Sequence, residues 1–280
     1  GAYTAGILTA RYHWETLPAL LAAALLPALV ALVIGRPALK LRQQYLALAT
    51  LGFGILVYIF FNEARGLTGG PSGFTGIPYL SVGGFQFDRD REFYYFVWLV
   101  VALVLAGANN LAHSRVGRAL QAIRDSEVAA ESIGIDVAEL KLRVFVFSAF
   151  LAGLAGGFYA FYVTFISPSP FGFHASILFV LMAVVGGLGS IWGPPVGVGL
   201  IVALSEALRW VVPKLLPEAG GEFEIVFFGV ILVLVVLLRP EGLCAVRRPV
   251  TASPAAEREE GIKAADGNRL DQIVRRADRC

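Results

Sequence analysis

Charge is what this sequence most lacks. Only 16% of its 280 residues are Asp, Glu, Lys or Arg, whereas 57% are hydrophobic, and the mean hydropathy is +0.70. A soluble domain is ordinarily about a quarter charged, so this composition indicates a membrane protein. The net charge of +2 gives no reason to expect nucleic acid or an acidic partner.

Groups that carry chemistry are scarce as well. The two cysteines cannot form a disulfide framework, and His13, His113 and His174 are not spaced as metal ligands. The phosphate-binding motif G-x-x-x-x-G-K-[ST] is absent from the sequence, so we expect a chain without a cofactor that does not itself hydrolyse ATP. Ionisable residues are nearly absent from the apolar runs, which argues against a carrier driven by protons or ions.

Long apolar runs are plentiful, and each is a candidate membrane helix. Because crossing the hydrocarbon core takes roughly 20 apolar residues, we predict an all-α polytopic membrane protein with about seven or eight transmembrane helices. The candidate runs are 17–34, 45–61, 93–108, 144–165, 177–188, 194–208 and 225–238, with the stub of an earlier helix at 1–8.

Two boundaries in the chain are less regular. The segment GGLGSIWGPP separates the runs 177–188 and 194–208, and it fits either a tight turn between two spans or a break within a re-entrant element. Residues 1–243 form the predicted transmembrane domain, which we expect to be incomplete at its N-terminus because the sequence opens in an apolar run. Residues 244–280 are polar and lack periodicity, which predicts a disordered tail.

The distribution of Lys and Arg predicts an orientation. If residues 109–143 lie inside, the inner segments hold more of these cations than the outer segments, and the outer segment 164–176 holds none. The C-terminus then lies in the cytoplasm. The inner cations are Arg36, Lys40, Arg42, Arg115, Arg118, Arg124, Lys141, Arg143, Arg239, Arg247 and Arg248.

Residues 114–136, SRVGRALQAIRDSEVAAESIGID, predict an amphipathic helix at the inner surface. At about 100° per residue, apolar residues gather on one face and charged residues on the other. Gly134 is expected to end the helix, and Asp136 to cap the next one with Glu139 as its partner. The apolar face, which holds Ala119, Ala122, Ile123, Ala129, Ala130 and Ile133, contains no aromatic residue. That composition favours docking into a protein groove over binding to lipid headgroups.

Several stretches occur in an order that resembles one transporter family. They are QQYLALATLGFG, LTGGPSGFTGIP, GRALQAIRDSEVAAESIGID, FSAFLAGLAGGFYAFYVTFISPSPFGFHASI, VVGGLGSIWGPPVG and RPEGL. Together they resemble the M-type permease subunits of branched-chain amino acid ABC importers, and the resemblance covers residues 1–243.

The resemblance implies a permease subunit that moves branched-chain, hydrophobic amino acids across a bacterial or archaeal cytoplasmic membrane. It implies four kinds of partner: a second related permease, two ATPase subunits that bind ATP and Mg, an extracytoplasmic binding protein and the lipid bilayer. It also implies that the 118–134 helix docks in an ATPase cleft. The family pattern begins Glu-Ala-Ala, whereas this chain has Glu-Val-Ala-Ala-Glu, which leaves the register open. The matching and neighbouring positions are Arg118, Arg124, Glu127, Ala129, Ala130, Glu131 and Gly134.

Small residues mark a second set of candidates, for helix packing or for the translocation path. Small residues spaced by four permit close helix approach, and a path for an apolar zwitterion needs few charged groups. Both interpretations stay open for these positions. The candidates are Thr50, Gly52 and Gly54 in the run 45–61, and Gly153, Gly156 and Gly157 in the run 144–165.

Other functions remain open from the sequence. A permease for urea or short amides has the same organisation, and no motif separates these substrates. A channel or ion-driven carrier would act without ATPase partners, and Na⁺ held by backbone carbonyls would need no ionisable side chain. A membrane enzyme has little support, because the sequence contains no recognisable carboxylate pair, nucleophile–base pair or metal cluster at membrane depth.

Overall fold

The computed structural model describes residues 1–39, 43–83, 85–187, 189–215 and 244. The α-helices are α1 (Ala2–Tyr12), α2 (Thr16–Ala38), α3 (Gln43–Glu63), α4 (Arg65–Thr68), α5 (Asp90–His113), α6 (Arg115–Asp125), α7 (Glu127–Ser132), α8 (Val137–Val163), α9 (Phe173–Gly186) and α10 (Gly193–Leu215). The short strands are β1 (Phe74–Thr75), β2 (Ser81–Val82), β3 (Phe85–Gln86) and β4 (Phe165–Ile166). Single 3₁₀ turns cover Gly70–Ser72 and Ser169–Phe171.

Four helices of the described residues are long and apolar enough to cross a membrane. They are α2, α3, α5 and α8. The first three contain the predicted runs 17–34, 45–61 and 93–108, and α8 contains the run 144–165 except its last two residues, which confirms an all-α polytopic membrane protein. Helix α9 has 14 residues, fewer than the roughly 17 that a span needs. The predicted run 225–238 and the predicted tail, except Cys244, lie outside the described residues.

The contact between α2 and α8 forms the centre of the bundle. The two helices run antiparallel, since Gly157 lies against Leu20 near the start of α2 and Gly35 lies against Leu142 near the start of α8. Helix α1 packs on both, and its Ala5 is fully buried. Small residues on all three helices let the backbones approach closely, which is how apolar helices associate in lipid.

Short strands and turns form a cap at the end of the bundle away from α6 and α7; we call residues 64–89 and 164–172 the cap. Strand β1 pairs with β4 in antiparallel register, Phe74 opposite Ile166, so the connection after α3 is joined to the connection after α8. The Thr16 hydroxyl donates to the Ser81 carbonyl at 2.6 Å and accepts from the Ser81 amide at 3.0 Å. These bonds fix the β2–β3 hairpin on the start of α2.

Exposed aromatic residues surround the start of α5, next to the cap. Tyr94, Tyr95 and Trp98 are all exposed, and the Tyr94 ring meets the other two edge-on. Tyr and Trp are enriched where a membrane helix enters the headgroup layer. The cap therefore lies at one membrane surface, and α6 and α7 lie at the other.

A tight turn joins α9 to α10. A Cβ atom at Gly186 would overlap the carbonyl of Gly193, and one at Gly197 would overlap the carbonyl of Met182, so the two helices touch through backbone. A tight turn between two closely packed helices fits both interpretations of this segment, a turn between two spans and a break within a re-entrant element. The Cys244 amide donates to the Gly186 carbonyl at 3.0 Å, so Cys244 lies beside the turn between α9 and α10.

Candidate coupling site

A sharp elbow connects α5 to α6. The Ser114 hydroxyl caps α6 by accepting from the Gly117 amide at 3.3 Å. Gly117 is buried, and a Cβ atom there would overlap the carbonyl oxygens of Leu111 and Ala112 in the last turn of α5. Neither residue was predicted from the sequence, although a serine directly before the amphipathic segment is a usable signal for a helix start.

The segment after the elbow is two helices and not the single helix predicted for 118–134. Helix α6 ends at Asp125, and Ser126 has an extended backbone. The Ser126 hydroxyl then caps α7 by accepting from the Ala129 amide at 3.2 Å. The prediction of one continuous helix was wrong. Serine is unfavourable inside a helix and favourable at a helix start, so Ser126 permits a break, and the packing of Ile123 and Ala130 against Val137 sets it.

The end of α7 agrees with the prediction. Gly134 has φ +84°, its amide donates to the Glu131 carbonyl at 3.0 Å, and the Ile135 amide donates to the Ala130 carbonyl at 3.1 Å. These two bonds form a Schellman motif, which needs a left-handed residue at this position. Asp136 Oδ1 then accepts from the Glu139 amide at 2.9 Å and starts α8, as predicted. The Glu139 carboxylate does not complete a capping box, because it pairs with Arg143.

A small apolar cluster binds α6, α7 and α8 together. Ile123 of α6, Ala130 of α7 and Val137 of α8 are buried in it, and Ile135 packs against them. The predicted apolar face is therefore divided: Ile123 and Ala130 pack inside this chain, whereas Ile133 is 71% exposed and Ala129 is also exposed. The break at Ser126 causes this difference, because it rotates α7 relative to the face that a continuous helix would present.

An ion pair adds a second connection between α7 and α8. Lys141 Nζ lies 2.7 Å from Glu127 Oε1. Because both side chains are partly solvated, the pair contributes no more than about 1 kcal/mol and acts mainly to fix the orientation of α7. Arg143 pairs with Glu139 one turn apart on α8. Glu127 was expected to contact a partner subunit, and its contact with Lys141 was not predicted from the sequence.

Two apolar side chains, one on α7 and one on the residue that follows it, are exposed to solvent. Val128 is 78% exposed and Ile133 is 71% exposed. The predicted docking residues Arg124 and Glu131 are exposed too, whereas Ala130 is only 1% exposed and packs inside. If a partner subunit contacts α7, the exposed side chains meet it first, so Val128 and Ile133, which the helical wheel did not single out together, are the candidates for direct contact.

Arg118 faces back toward the elbow. Its guanidinium Nη1 donates to the His113 carbonyl at 3.2 Å, at the last turn of α5. A cation near a helix C-terminus interacts favourably with the helix dipole. Arg118 therefore helps hold α6 against α5, and Arg124 lies further along the exposed side of α6.

The three glycines predicted on α8 lie at close helix contacts. A Cβ atom at Gly157 would lie 2.7 Å from Leu20 Cδ1, and one at Gly156 would lie 2.8 Å from the Ala2 nitrogen. Gly153 meets the backbone of Ala24 on α2 in the same way. These positions bring α8 onto α1 and α2. They lie in the second half of α8, whereas the cluster with α6 and α7 lies at its start.

The candidates on α3 lie apart from that contact. The Thr50 hydroxyl donates to the Leu46 and Ala47 carbonyls of its own helix at 3.0 Å. A Cβ atom at Gly52 or Gly54 would meet no described atom within 4 Å. The structure therefore does not bring the α3 candidates together with the α8 glycines.

A strained turn makes Gly134 sensitive to substitution. Gly134→Ala is expected to destabilise the α7–α8 junction by about 1 kcal/mol, because a Cβ disfavours positive φ. Steric overlap is not the cause, since a Cβ there would meet no described neighbour within 4 Å. Gly134→Asn should cost less, since asparagine tolerates this conformation. Thermal unfolding of the two variants checks this, and equal losses would contradict a conformational cause.

A protein-family comparison assigns the chain to a family. The family described as "Branched-chain amino acid transport system / permease component" matches residues 1–236. The chain belongs to this family. It is a multi-pass membrane protein related to transport permeases, and the resemblance drawn from the sequence is thereby confirmed.

Individual relatives agree with this assignment. The chain is 32% identical over 275 residues to the high-affinity branched-chain amino acid transport system permease protein LivM of Escherichia coli K12. It is 34% identical over 275 residues to LivM of Salmonella typhimurium LT2. Each alignment covers 89% of this chain and 62% of the relative, so the chain spans less than two thirds of the LivM proteins.

A second kind of permease is also similar. The permease protein LivH of Escherichia coli K12 is 32% identical over 148 residues, which cover 52% of this chain and 46% of LivH. No solved structure matches the chain.

Proposed function

We propose that this chain is the M-type permease subunit of an ATP-driven importer for branched-chain, hydrophobic amino acids. The observation that carries the proposal is the form of α7: a short helix packed on α8 that presents exposed Val128, with exposed Ile133 directly after it. The family membership supports the substrate class, since the LivM and LivH relatives carry branched-chain amino acid transport in their names.

The proposed partners follow from what the chain contains. No nucleotide-binding motif occurs in the sequence, so two ATPase subunits would bind ATP and Mg. A second, LivH-like permease would complete the pathway, and an extracytoplasmic binding protein would deliver the amino acid to the cap. The membrane would be the bacterial or archaeal cytoplasmic membrane, with α6, α7 and Cys244 inside.

The geometry supports a mechanical route for coupling. Closure of the ATPases would displace α7, and the Schellman turn at Gly134, the Asp136 cap and the Glu127–Lys141 pair would pass that displacement to α8. Helix α8 would carry the motion to α2 through their close glycine contact, so both helices change position in the bundle.

Reconstitution tests the proposal directly. In vesicles that contain the permease pair, the ATPases and ATP, labelled leucine should accumulate against a gradient in the presence of the binding protein. The same chain without ATPases should accumulate nothing. Accumulation without ATPases would establish an ion-driven carrier, and accumulation of urea in preference to leucine would establish the amide permease; either result overturns the proposal.

A further inference from the structure

A cleft opens between α2 and α8 at the membrane surface that carries α6 and α7. Its volume is about 770 Å³. Four ionisable side chains line it: Arg36 near the end of α2, and Asp136, Glu139 and Arg143 at the start of α8. The rest of the wall is mostly apolar, so the cleft joins an apolar groove to a charged mouth. The apolar lining residues include Leu25, Leu32, Leu142, Val146, Phe147 and Phe150.

The charges at the mouth are balanced but not all paired. Arg143 and Glu139 form an ion pair on α8. Within the residues that the structure describes, Arg36 has no ion-pair or hydrogen-bond partner, and the Asp136 carboxylate accepts only the amide of Glu139. Among the described residues, the mouth therefore presents one cation and one anion that lack a side-chain counter-ion and do not pair with each other.

We propose that this cleft binds a zwitterionic aminophospholipid of the bilayer. Its phosphate lies at Arg36, because guanidinium forms charge-assisted hydrogen bonds with phosphate oxygens. Its primary ammonium lies at Asp136, because an ammonium offers three donors to the free carboxylate oxygen. Its acyl chains cover the apolar wall, which includes the exposed Phe147 and Leu25. This site is independent of the solute that the permease carries.

Charge complementarity selects this headgroup over the common alternatives. An anionic glycerol headgroup satisfies Arg36 but leaves Asp136 next to a phosphate. A choline headgroup carries a cation but no N–H group to donate to the carboxylate. An ethanolamine headgroup supplies an anion and a donating cation on one molecule, which matches the two unpaired charges.

The bound lipid contacts both α2 and the first turn of α8, just after the turn at Gly134. A ligand that binds the folded protein and not the unfolded chain raises its stability. Lipid in the cleft therefore stabilises the junction between α7 and the membrane helices.

Lipid titration of the purified full-length permease tests the site. Phospholipids with ethanolamine, glycerol or choline headgroups and identical acyl chains are added in detergent, and thermal unfolding and native mass spectrometry report binding. The ethanolamine lipid should raise the unfolding temperature most and remain bound. Arg36→Gln and Asp136→Asn should each weaken its binding about tenfold, whereas Arg36→Lys should retain it.

The variants are chosen to separate binding from folding. Asparagine caps a helix as well as aspartate does, so Asp136→Asn removes the charge and keeps the start of α8. Arg89→Gln and Asp88→Asn remove the same charges at the cap and should leave lipid binding unchanged.

Two outcomes would overturn the proposal. The first is equal binding of the glycerol lipid with no effect of Asp136→Asn, which would reduce the site to an anionic-lipid contact. The second is the absence of retained lipid together with cross-linking of a cysteine at Phe147 to the second permease, which would make the cleft a subunit interface.

Discussion

Replacing Val128 by aspartate is expected to leave the permease in the membrane and to remove most of its transport. Val128 is 78% exposed on α7, so the substitution disturbs no buried contact of this chain. If the side chain enters an ATPase cleft, the new carboxylate is desolvated there without a partner, which is strongly unfavourable. Burying an unpaired carboxylate costs roughly 2 kcal/mol or more, so the ATPases should bind about tenfold to a hundredfold more weakly.

Two measurements check this result. Co-purification of the ATPases should fall together with leucine uptake, while the amount of permease in the membrane stays constant. Val116→Asp is the matched control, because Val116 is an exposed valine of the same inner segment on α6. Equal losses of ATPase binding and uptake in both variants would mean that a negative charge anywhere in the segment weakens binding, and would contradict a specific contact at α7.

The prediction also improves on the position that the sequence suggested. A family-like register points to Ala130 as a contact, yet its side chain is 1% exposed and packs against Ile123 and Val137. A cysteine at Ala130 would therefore disturb the cluster before it could report on a partner. Val128 and Ile133 are the better sites for cross-linking, since both side chains face solvent.

The membrane helices could be predicted because their physical cause is local. A run of apolar residues long enough to cross the bilayer stays helical in hydrocarbon whatever its neighbours are, since each backbone group must be paired within its own segment. The runs 17–34 and 93–108 accordingly fall within α2 and α5. The stop at Gly134 and the cap at Asp136 are local as well, and both were predicted from residue type.

The break at Ser126 and the pair between Glu127 and Lys141 could not be predicted in the same way. The helical periodicity continues across Ser126, so only the packing of Ile123 and Ala130 against Val137 decides that α7 turns away from α6. Likewise, Lys141 faces Glu127 because the turn folds α7 back on α8. Tertiary contacts set both features, and they determine which side of α7 is exposed.

The roles of the small residues were open in sequence because packing and pathway use the same residue types. The structure separates the two groups by their surroundings. Gly153 and Gly157 meet α2 directly, whereas Gly52 and Gly54 have no described atom within 4 Å of a Cβ position. Substitution by alanine should therefore have opposite consequences in the two groups, and Gly153 is the most demanding position.

Gly153→Ala is expected to destabilise the bundle by about 1–3 kcal/mol, the usual cost of forcing an extra group into a packed contact. A Cβ at this position would overlap the Ala23 carbonyl oxygen and lie 2.9 Å from Pro27 Cγ. Proline has no amide hydrogen, so Pro27 leaves the Ala23 carbonyl without its donor within α2. Gly153 lets the backbone of α8 approach that carbonyl, where a Cα–H group can partly satisfy it.

Thermal unfolding in detergent measures the effect, with Gly107→Ala as the control. Gly107 lies within α5, and a Cβ there would meet no described atom within 4 Å, so alanine should leave stability unchanged or raise it by up to about 1 kcal/mol through helix propensity. Similar results for the two variants would mean that the α2–α8 contact does not carry the fold.

A double substitution separates the two parts of this argument. Pro27→Ala removes the ring that crowds Gly153 and returns a donor to the Ala23 carbonyl, so Gly153→Ala should cost less in that background than alone. In a double-mutant cycle, residues in direct contact commonly show an interaction free energy of roughly 0.5–3 kcal/mol. Additive effects would show that Gly153 and Pro27 act separately. The free Ala23 carbonyl would then not explain why α8 approaches α2 so closely.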